Sequence, residues 1–291
     1  MSFTSDFAAR RAQLSPQATA FIDDTDGTAI SFEQVNHRAA CMASAFKAQG
    51  LCDGARVAIL CGNSVDFFIA LFAAQKSGAI LAALNWRQPV AELAEVCTTV
   101  SPAAVLYDSQ NAGSAQTLAN RVGMAALPLT TLANGHEPCV AARVDETAPW
   151  YLLFTSGTTG TPKAVIQTAR MALANAMNVA QSIGLVSGER HLNFLPLFHT
   201  AGINLYTLPV FLWGGSTRIM PGFDAARALE LISQGEVDHF FGVPTIYRAL
   251  ALLDGVETAP LKRARSYGCG GAALPESQIR FFAERGALIL N

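Results

Sequence analysis

Residues 55–107 read ARVAILCGNSVDFFIALFAAQKSGAILAALNWRQPVAELAEVCTTVSPAAVLY, and this stretch decides the fold class. Its first seven residues, 55–61, form a short apolar run, the pattern of a strand buried on both faces. Phe67, Leu71 and Ala74 then recur at i, i+4 and i+7, which predicts an amphipathic helix opened by Asn63 and Ser64 and ended by Gly78. AILAAL (79–84) is a second strand. Residues 89–100 carry Leu93, Val96 and Val100 on one helical face, and AAVLY (103–107) is a third strand. Fully apolar strands alternating with helices predict parallel, helix-covered sheets, a doubly wound α/β fold.

The rhythm extends downstream, after a looser stretch at 108–149 with NAG and NGHEP turn signals. Strands are predicted at 150–154, 164–167 and 192–197, with a helix over 171–183. STRIM (216–220), HFFGV (239–243) and ARSYGC (264–269) are each followed by helical spacing, over 224–235, 244–253 and 275–285. There is no internal repeat, and an approximate subdomain division is expected near 165–190. Sheets of this kind gather ligands at the carboxyl ends of their strands.

Composition removes several function classes. With 51% hydrophobic and only 14% charged residues, the chain has ample apolar surface for a packed core, which excludes disorder across most of its length. A net charge of −2 and a pI of about 6.2 provide no basic field for nucleic acid. The mean hydropathy of +0.29 raises the question of a membrane. However, the apolar stretch 67–84 is interrupted by Gln75, Lys76, Ser77 and Gly78, and 203–213 is short and holds Pro209. Neither supplies the ~20 apolar residues of a spanning helix, so no transmembrane segment is expected. The opening MSFTSDFAARRAQL lacks the apolar core of a secretory signal. Six cysteines (Cys41, Cys52, Cys61, Cys97, Cys139, Cys269) form no C-x-x-C pair, which fits reduced, buried thiols in a cytoplasmic protein. A homodimer is left open.

The chemistry concentrates at YLLFTSGTTGTPKAV (151–165). A buried strand runs into Thr155, Ser156, Gly157, Thr158, Thr159, Gly160 and Thr161, then Pro162 and Lys163. Glycines let backbone N–H groups approach an anion, hydroxyls add neutral donors, and one lysine adds a mobile positive charge. That combination suits a polyphosphate held at a hairpin tip. The alternative is a plain Gly/Thr surface loop with an incidental lysine. A P-loop kinase or ATPase fits poorly, because Thr161 and Pro162 separate Gly160 from Lys163 and a strand follows in place of a helix.

Residues 155–163 resemble the phosphate-loop signature of the adenylate-forming (AMP-binding) superfamily, which includes acyl-CoA synthetases, luciferases and peptide-synthetase adenylation domains. ISFEQV (30–35) is similar to an early family motif, and QKSGA (75–79) with LNWR (84–87) resembles the acyl-CoA synthetase form of the next one. LPLFHTAG (195–202) and GVPT (242–245) look like acyl-pocket segments, and GGAAL (270–274) like a strand-end glycine motif at the adenine and acyl site. Ala164 departs from the family's usual glycine.

The resemblance implies ATP-dependent activation of a carboxylic acid to acyl-AMP, followed by transfer to coenzyme A, with ATP, Mg2+ and coenzyme A as cofactors and a fatty acid or aryl acid as partner. It places residues 155–161 on the β- and γ-phosphates, with Lys163 steadying the loop or the leaving pyrophosphate. A loop hydroxyl would join magnesium, and the metal ligand is not specified. Gly270, Gly271 and Ala272 would lie at the adenine. His199, Gly202, Gly242, Val243 and Gly270 would shape the acid site. Taken alone, His199 could equally be a core histidine, Gly270 and Gly271 a strand-to-helix turn, and Phe198, Phe240, Phe241 and Tyr247 core aromatics. His37, His136, His191 and His239 are read as structural, and Arg87 as a solvated charge. Amino-acid-activating relatives carry an aspartate near the His199 segment. Residues 199–204, HTAGIN, hold no acid, which favours an uncharged aliphatic or aryl substrate.

The resemblance covers the whole of 1–291 as an incomplete N-terminal AMP-binding domain. The family's later subdomain and small C-terminal domain, with its catalytic lysine, find no counterpart in this sequence. The isolated chain is therefore expected to have little or no activity. Two alternatives are a non-catalytic nucleotide- or acyl-binding remnant and an adenylation domain serving a different acceptor.

Overall fold

The structure is a computed structural model that describes residues 3–4, 6–132, 137–139, 144–155 and 162–290. The strands, in chain order, are β1 (Phe3–Thr4), β2 (Thr19–Asp23), β3 (Ala29–Ser31), β4 (Arg56–Leu60), β5 (Ile80–Ala83), β6 (Ala104–Tyr107), β7 (Ala125–Pro128) and β8 (Val144–Asp145). They continue with β9 (Pro149–Thr155), β10 (Lys163–Thr168), β11 (Arg190–Asn193), β12 (Ser216–Ile219), β13 (His239–Gly242), β14 (Ser266–Cys269) and β15 (Ile289–Leu290). One sheet runs β10-β9-β5-β4-β6-β7 and a second β15-β14-β13-β11-β12-β2-β3, while β1 pairs with β8. Both large sheets are parallel except at one edge, where β10 lies antiparallel to β9 and β3 antiparallel to β2. The α/β fold expected from residues 55–107 is thus present, with mixed edges.

Alternation along β4 explains the layers. Val57 and Ile59 face one core and Ala58 and Leu60 another, as the two-residue period of a strand requires. The second face is covered by helices Val90–Val100 and Ala112–Val122, through Leu93, Val96, Ala115 and Leu118. The first face packs on helix Val65–Ser77, which also contacts β2 of the other sheet. Helices Ala225–Gln234, Pro244–Ala251 and Glu276–Ala283 cover the far side of the second sheet.

This arrangement corrects the amphipathic reading of helix Val65–Ser77. Every residue in it but Asp66 is buried, because it lies between two sheets and is apolar on all sides up to its last turn. An aromatic cluster spans the junction. Phe72 stacks on Phe211 at 4.5 Å, Phe211 on Phe21 at 5.5 Å and Phe21 on Phe68 at 5.0 Å. Gly78 ends the helix in the left-handed conformation (φ 74°), as expected. The opening is different. Ser64 stands at the N-cap without a side-chain cap bond, and the Asn63 amide is used elsewhere.

The motif ISFEQV has a local physical meaning. Ser31 Oγ accepts the Gln34 N–H at 3.2 Å and Gln34 Oε1 accepts the Ser31 N–H at 2.8 Å, a capping box that starts helix Phe32–Ala48. Helix Ala169–Ile183 carries the chain from the first sheet to the second. All six cysteines are free. Cys41, Cys61, Cys97 and Cys269 are buried, and burial pushes the Cys97 thiol up to about 11. No helix among the described residues is long and apolar enough to cross a membrane.

Candidate active site

The loop and the histidine segment meet at the carboxyl ends of parallel strands. β9 ends at Thr155 and β10 begins at Lys163, and these two residues are partners across the antiparallel ladder. The strand–hairpin–strand expectation therefore holds. Both residues are exposed. Ser156, Gly157, Thr158, Thr159, Gly160 and Thr161, assigned to phosphate, lie outside the described residues.

Across from the hairpin, the strand expected at 192–197 stops early, at Asn193. The cause is side-chain competition for the backbone. Asn193 Oδ1 takes the Leu195 N–H at 2.9 Å, an Asx turn, while its Nδ2 donates to the Gly202 carbonyl at 2.9 Å. Asn63, from the loop after β4, donates to the Leu195 carbonyl at 3.0 Å and accepts the Leu197 N–H at 3.2 Å. Chain 194–202 doubles back so tightly that a Cβ on Gly202 would stand 2.4 Å from the Pro196 carbonyl oxygen, so the position admits only glycine.

This turn presents Phe198 and His199 to a cavity of about 460 Å³ whose other walls include Asn85, Phe154, Thr155 and Pro162. The rest of its lining combines apolar Ala83, Leu84 and Val96 with Gln88 and the exposed carboxylates of Glu92 and Glu95. His199 is exposed, and its Nδ1 accepts the Ala201 N–H at 3.3 Å, which leaves the proton of the neutral ring on Nε2. Arg87 is held by stacking, its guanidinium 5.0 Å from the Trp86 ring and 5.7 Å from that of Phe198.

Thr155 and His199 thus share one cavity with Pro162, the neighbour of Lys163. Gly242, Val243, Gly270, Gly271 and Ala272 do not line it. They sit at the carboxyl ends of β13 and β14, where the half-buried Phe241 ring lies 2.9 Å from where a Gly270 Cβ would be. Gly270 therefore admits an aromatic ring against β14. Among the aromatics left open, Phe240 and Tyr247 are fully buried core, while Phe198 and Phe241 are half-buried at strand ends. Asn193 and Asn204 carry no role in the sequence reading, and Asn63 enters it only as a helix opening. Their only signal is a polar residue interrupting an apolar run, which does not reveal a tertiary partner.

His191 and His239 differ from His199, whereas His37, read as structural, is exposed on helix Phe32–Ala48. His191 and His239 are buried at the opposite, amino ends of β11 and β13. His191 Nδ1 donates to the His239 carbonyl at 3.0 Å. His239 bridges Ser266 Oγ at 2.7 Å and Glu189 Oε2 at 2.8 Å. Burial depresses both, with His191 pushed down to about 3. Below pH 6.5 the unfolded chain takes up the His191 proton and the fold does not, so stability falls as pH drops. The loss builds up below pH 6.5 to on the order of 1 kcal/mol per pH unit and continues towards pH 3. Urea unfolding at pH 6.0 and 5.0 is expected to show this fall, and His191→Gln to reduce it, with His239 supplying the remainder. An equal fall in that variant would remove His191 as the cause. His136 lies outside the described residues.

Two largely parallel sheets sharing a helical layer, with a hairpin edge and a cavity at the strand ends, make up an α/β domain. Residues 8–291 match the AMP-binding enzyme family, and the chain belongs to it. It is 32% identical over 278 residues to a feruloyl-CoA synthase of Amycolatopsis sp., covering 95% of this chain and 56% of that protein. It is 28% identical over 302 residues to the long-chain-fatty-acid–CoA ligase FadD13 of Mycobacterium tuberculosis, covering 97% and 58%. The structure superposes on the inhibitor-bound N-terminal domain of FACL13 from M. tuberculosis with a TM-score of 0.90 at 25% identity, covering 99% of this chain and 75% of that one. The chain spans little more than half the length of these curated relatives.

Proposed function

We propose that the protein carrying this domain is an AMP-forming acid–thiol ligase. It joins an uncharged aliphatic or aryl carboxylic acid to AMP at the expense of ATP and then passes the acyl group to coenzyme A. The observation that carries the reading is the cavity at the strand carboxyl ends, where the base of the 155–163 loop faces His199. A carboxylate oxygen attacks the α-phosphorus, forming one O–P bond as the bond to pyrophosphate breaks. The thiol then adds to the acyl carbonyl, AMP leaves, and the thiol proton passes to solvent.

Such a step needs neutralisation of crowded phosphate charge more than it needs a base. Thr155 and the loop it opens would donate to the β- and γ-phosphates, and Lys163 would offset the charge of departing pyrophosphate. His199 is set to donate from Nε2 to the carboxylate or the adenylate phosphate. Among the described residues no three His, Cys, Asp or Glu side chains gather as a metal cage. Magnesium would enter bound to the phosphates of ATP, the usual manner of an ion that keeps several waters. The free, mostly buried thiols support a reducing, cytoplasmic location.

The test is mass spectrometry for acyl-AMP after incubation with ATP, Mg2+ and a panel of aliphatic and aryl acids, alongside acid-dependent ATP–pyrophosphate exchange. Lys163→Ala and His199→Ala are each expected to lower exchange by about 10²-fold. Absence of acyl-AMP with every acid in the full-length protein would overturn the reading.

A further inference from the structure

One residue beyond the His199 turn ties it to the hairpin. Asn204 lies in the π-helical turn Ala201–Leu205, a rare conformation that is frequent at functional sites. Its Oδ1 accepts the Tyr151 hydroxyl at 2.5 Å, and its Nδ2 donates to Thr200 Oγ1 at 3.0 Å and to Gln167 Oε1 at 3.3 Å. Its backbone carbonyl accepts Asn175 Nδ2 at 2.6 Å. Both amide hydrogens and the amide oxygen are thus engaged.

The partners are informative. Tyr151 and Gln167 are opposed across the β9–β10 ladder, so Asn204 grips both ends of one rung. The register runs without irregularity from that rung to Thr155–Lys163, four residues further on. By strand alternation, Tyr151 and Thr155 share one face, as do Gln167 and Lys163. The gripped rung therefore lies about 13 Å from the base of the loop, at ~3.3 Å per residue. On its other side Asn204 holds Thr200, the immediate neighbour of His199. Tyr151 is buried, and burial raises its hydroxyl pKa, so it remains a neutral donor.

We propose that Asn204 is a positioning residue that sets the His199 turn against the hairpin bearing residues 155–163. It touches neither acid nor nucleotide and acts through Tyr151, Gln167 and Thr200. The proposal rests on the reading of the cavity as the adenylate site. Asparagine suits the task because it offers an acceptor to β9 and two donors, one to β10 and one to its own turn. No aliphatic side chain of similar size could do this, and one placed there would leave the buried Tyr151 hydroxyl unpaired.

The experiment measures binding of two sulfamoyl-adenosine analogues of acyl-adenylate, one benzoyl and one hexanoyl, by calorimetry on the 291-residue chain at 20 °C. Melting temperatures are recorded in parallel. Wild type should bind at least one analogue, and His199→Ala and Asn204→Ala should each weaken it about 10-fold. The double variant should bind within about twofold of His199→Ala alone, because the two changes remove one arrangement. A merely structural Asn204 would lower the melting temperature and leave affinity at 20 °C unchanged. That result, or strictly multiplicative losses in the double variant, overturns the proposal while leaving the site in place. Failure of wild type to bind either analogue, or an unaltered affinity in His199→Ala, overturns the site reading and the proposal with it. Should Asn204→Ala not fold, Tyr151→Phe removes one hydroxyl from the same bond and is expected to weaken binding about threefold, with wild-type affinity there counting against the proposal.

Discussion

Replacing Lys76 with alanine is expected to lower the unfolding free energy by about 3–5 kcal/mol, the cost of breaking a buried ion pair from one side. Lys76 Nζ lies 2.5 Å from Asp6 Oδ2 and 2.6 Å from Asn36 Oδ1, with both charged side chains more than nine-tenths buried. Asp6 is also the N-cap of helix Phe7–Leu14, where its Oδ1 accepts the Ala9 N–H at 3.1 Å. The pair therefore fastens the start of the chain to the central helix Val65–Ser77, where Lys76 in the last turn also meets the negative end of the helix dipole. Without Lys76, the Asp6 carboxylate keeps its desolvation cost and loses its counter-charge. Urea unfolding checks the value. The double change Asp6→Asn, Lys76→Met should recover much of the loss, since it removes the stranded charge and retains an oxygen for the cap. A loss under about 1 kcal/mol for Lys76→Ala would place the pair among surface-like bridges and contradict its burial. High salt should change the result little, because buried pairs are weakly screened.

The second large effect is expected at Asn63. Asn63→Leu keeps the volume and removes bonds to the Leu195 carbonyl, the Leu197 N–H and, at 3.4 Å, the Met220 carbonyl. All of these lie in a buried junction between the loop after β4 and the segments after β11 and β12. Two well-formed bonds and one long one, each left without a partner, amount to about 2–4 kcal/mol. The same change frees the chain that delivers His199 to the cavity. A loss of ligand affinity should therefore accompany the fall in stability, and it should persist well below the melting temperature. Calorimetric titration with the acyl-adenylate analogues and urea unfolding separate the two effects. Undiminished affinity in a folded Asn63→Leu protein would show that the 194–200 segment holds its place without this anchor.

Both residues were visible in the sequence, but with a different meaning. Gln75 and Lys76 interrupt an apolar run and so argue against a membrane span, yet Lys76 is itself buried because its ammonium finds Asp6 seventy residues earlier. Asn63 precedes a helix and so resembles a cap. Its amide instead reaches a segment more than 130 residues away, and the first turn of the helix goes without it. A local rule reports what a residue can do for its neighbours. It is silent when a distant backbone group competes for the same atoms.

Element identity depended little on such competition. The runs at 55–61, 79–84 and 103–107 became β4, β5 and β6 within a residue or two, because each is apolar on both sides and could be buried only in a covered sheet. The hairpin between 150–154 and 164–167 followed from the turn-forming residues that separate two apolar runs. Helix Phe32–Ala48 was read only as part of a resemblance, and helix Ala112–Val122 as a looser stretch, because short, small or polar side chains dilute the apolar period in each. The strand expected at 192–197 ended at Asn193, where a side chain took over the backbone bonding.

From the sequence alone came the α/β class, the place of the hairpin and the chemistry of a loop suited to phosphate, all properties of contiguous residues with a period or a composition. Only the tertiary structure decided that the central helix is buried between two sheets, that His199 is exposed, and that Thr155 and His199 face one cavity. Those facts depend on which segments become neighbours. That is settled by burial and by polar groups that must find partners far along the chain, here through Asn63, Asn193 and Asn204.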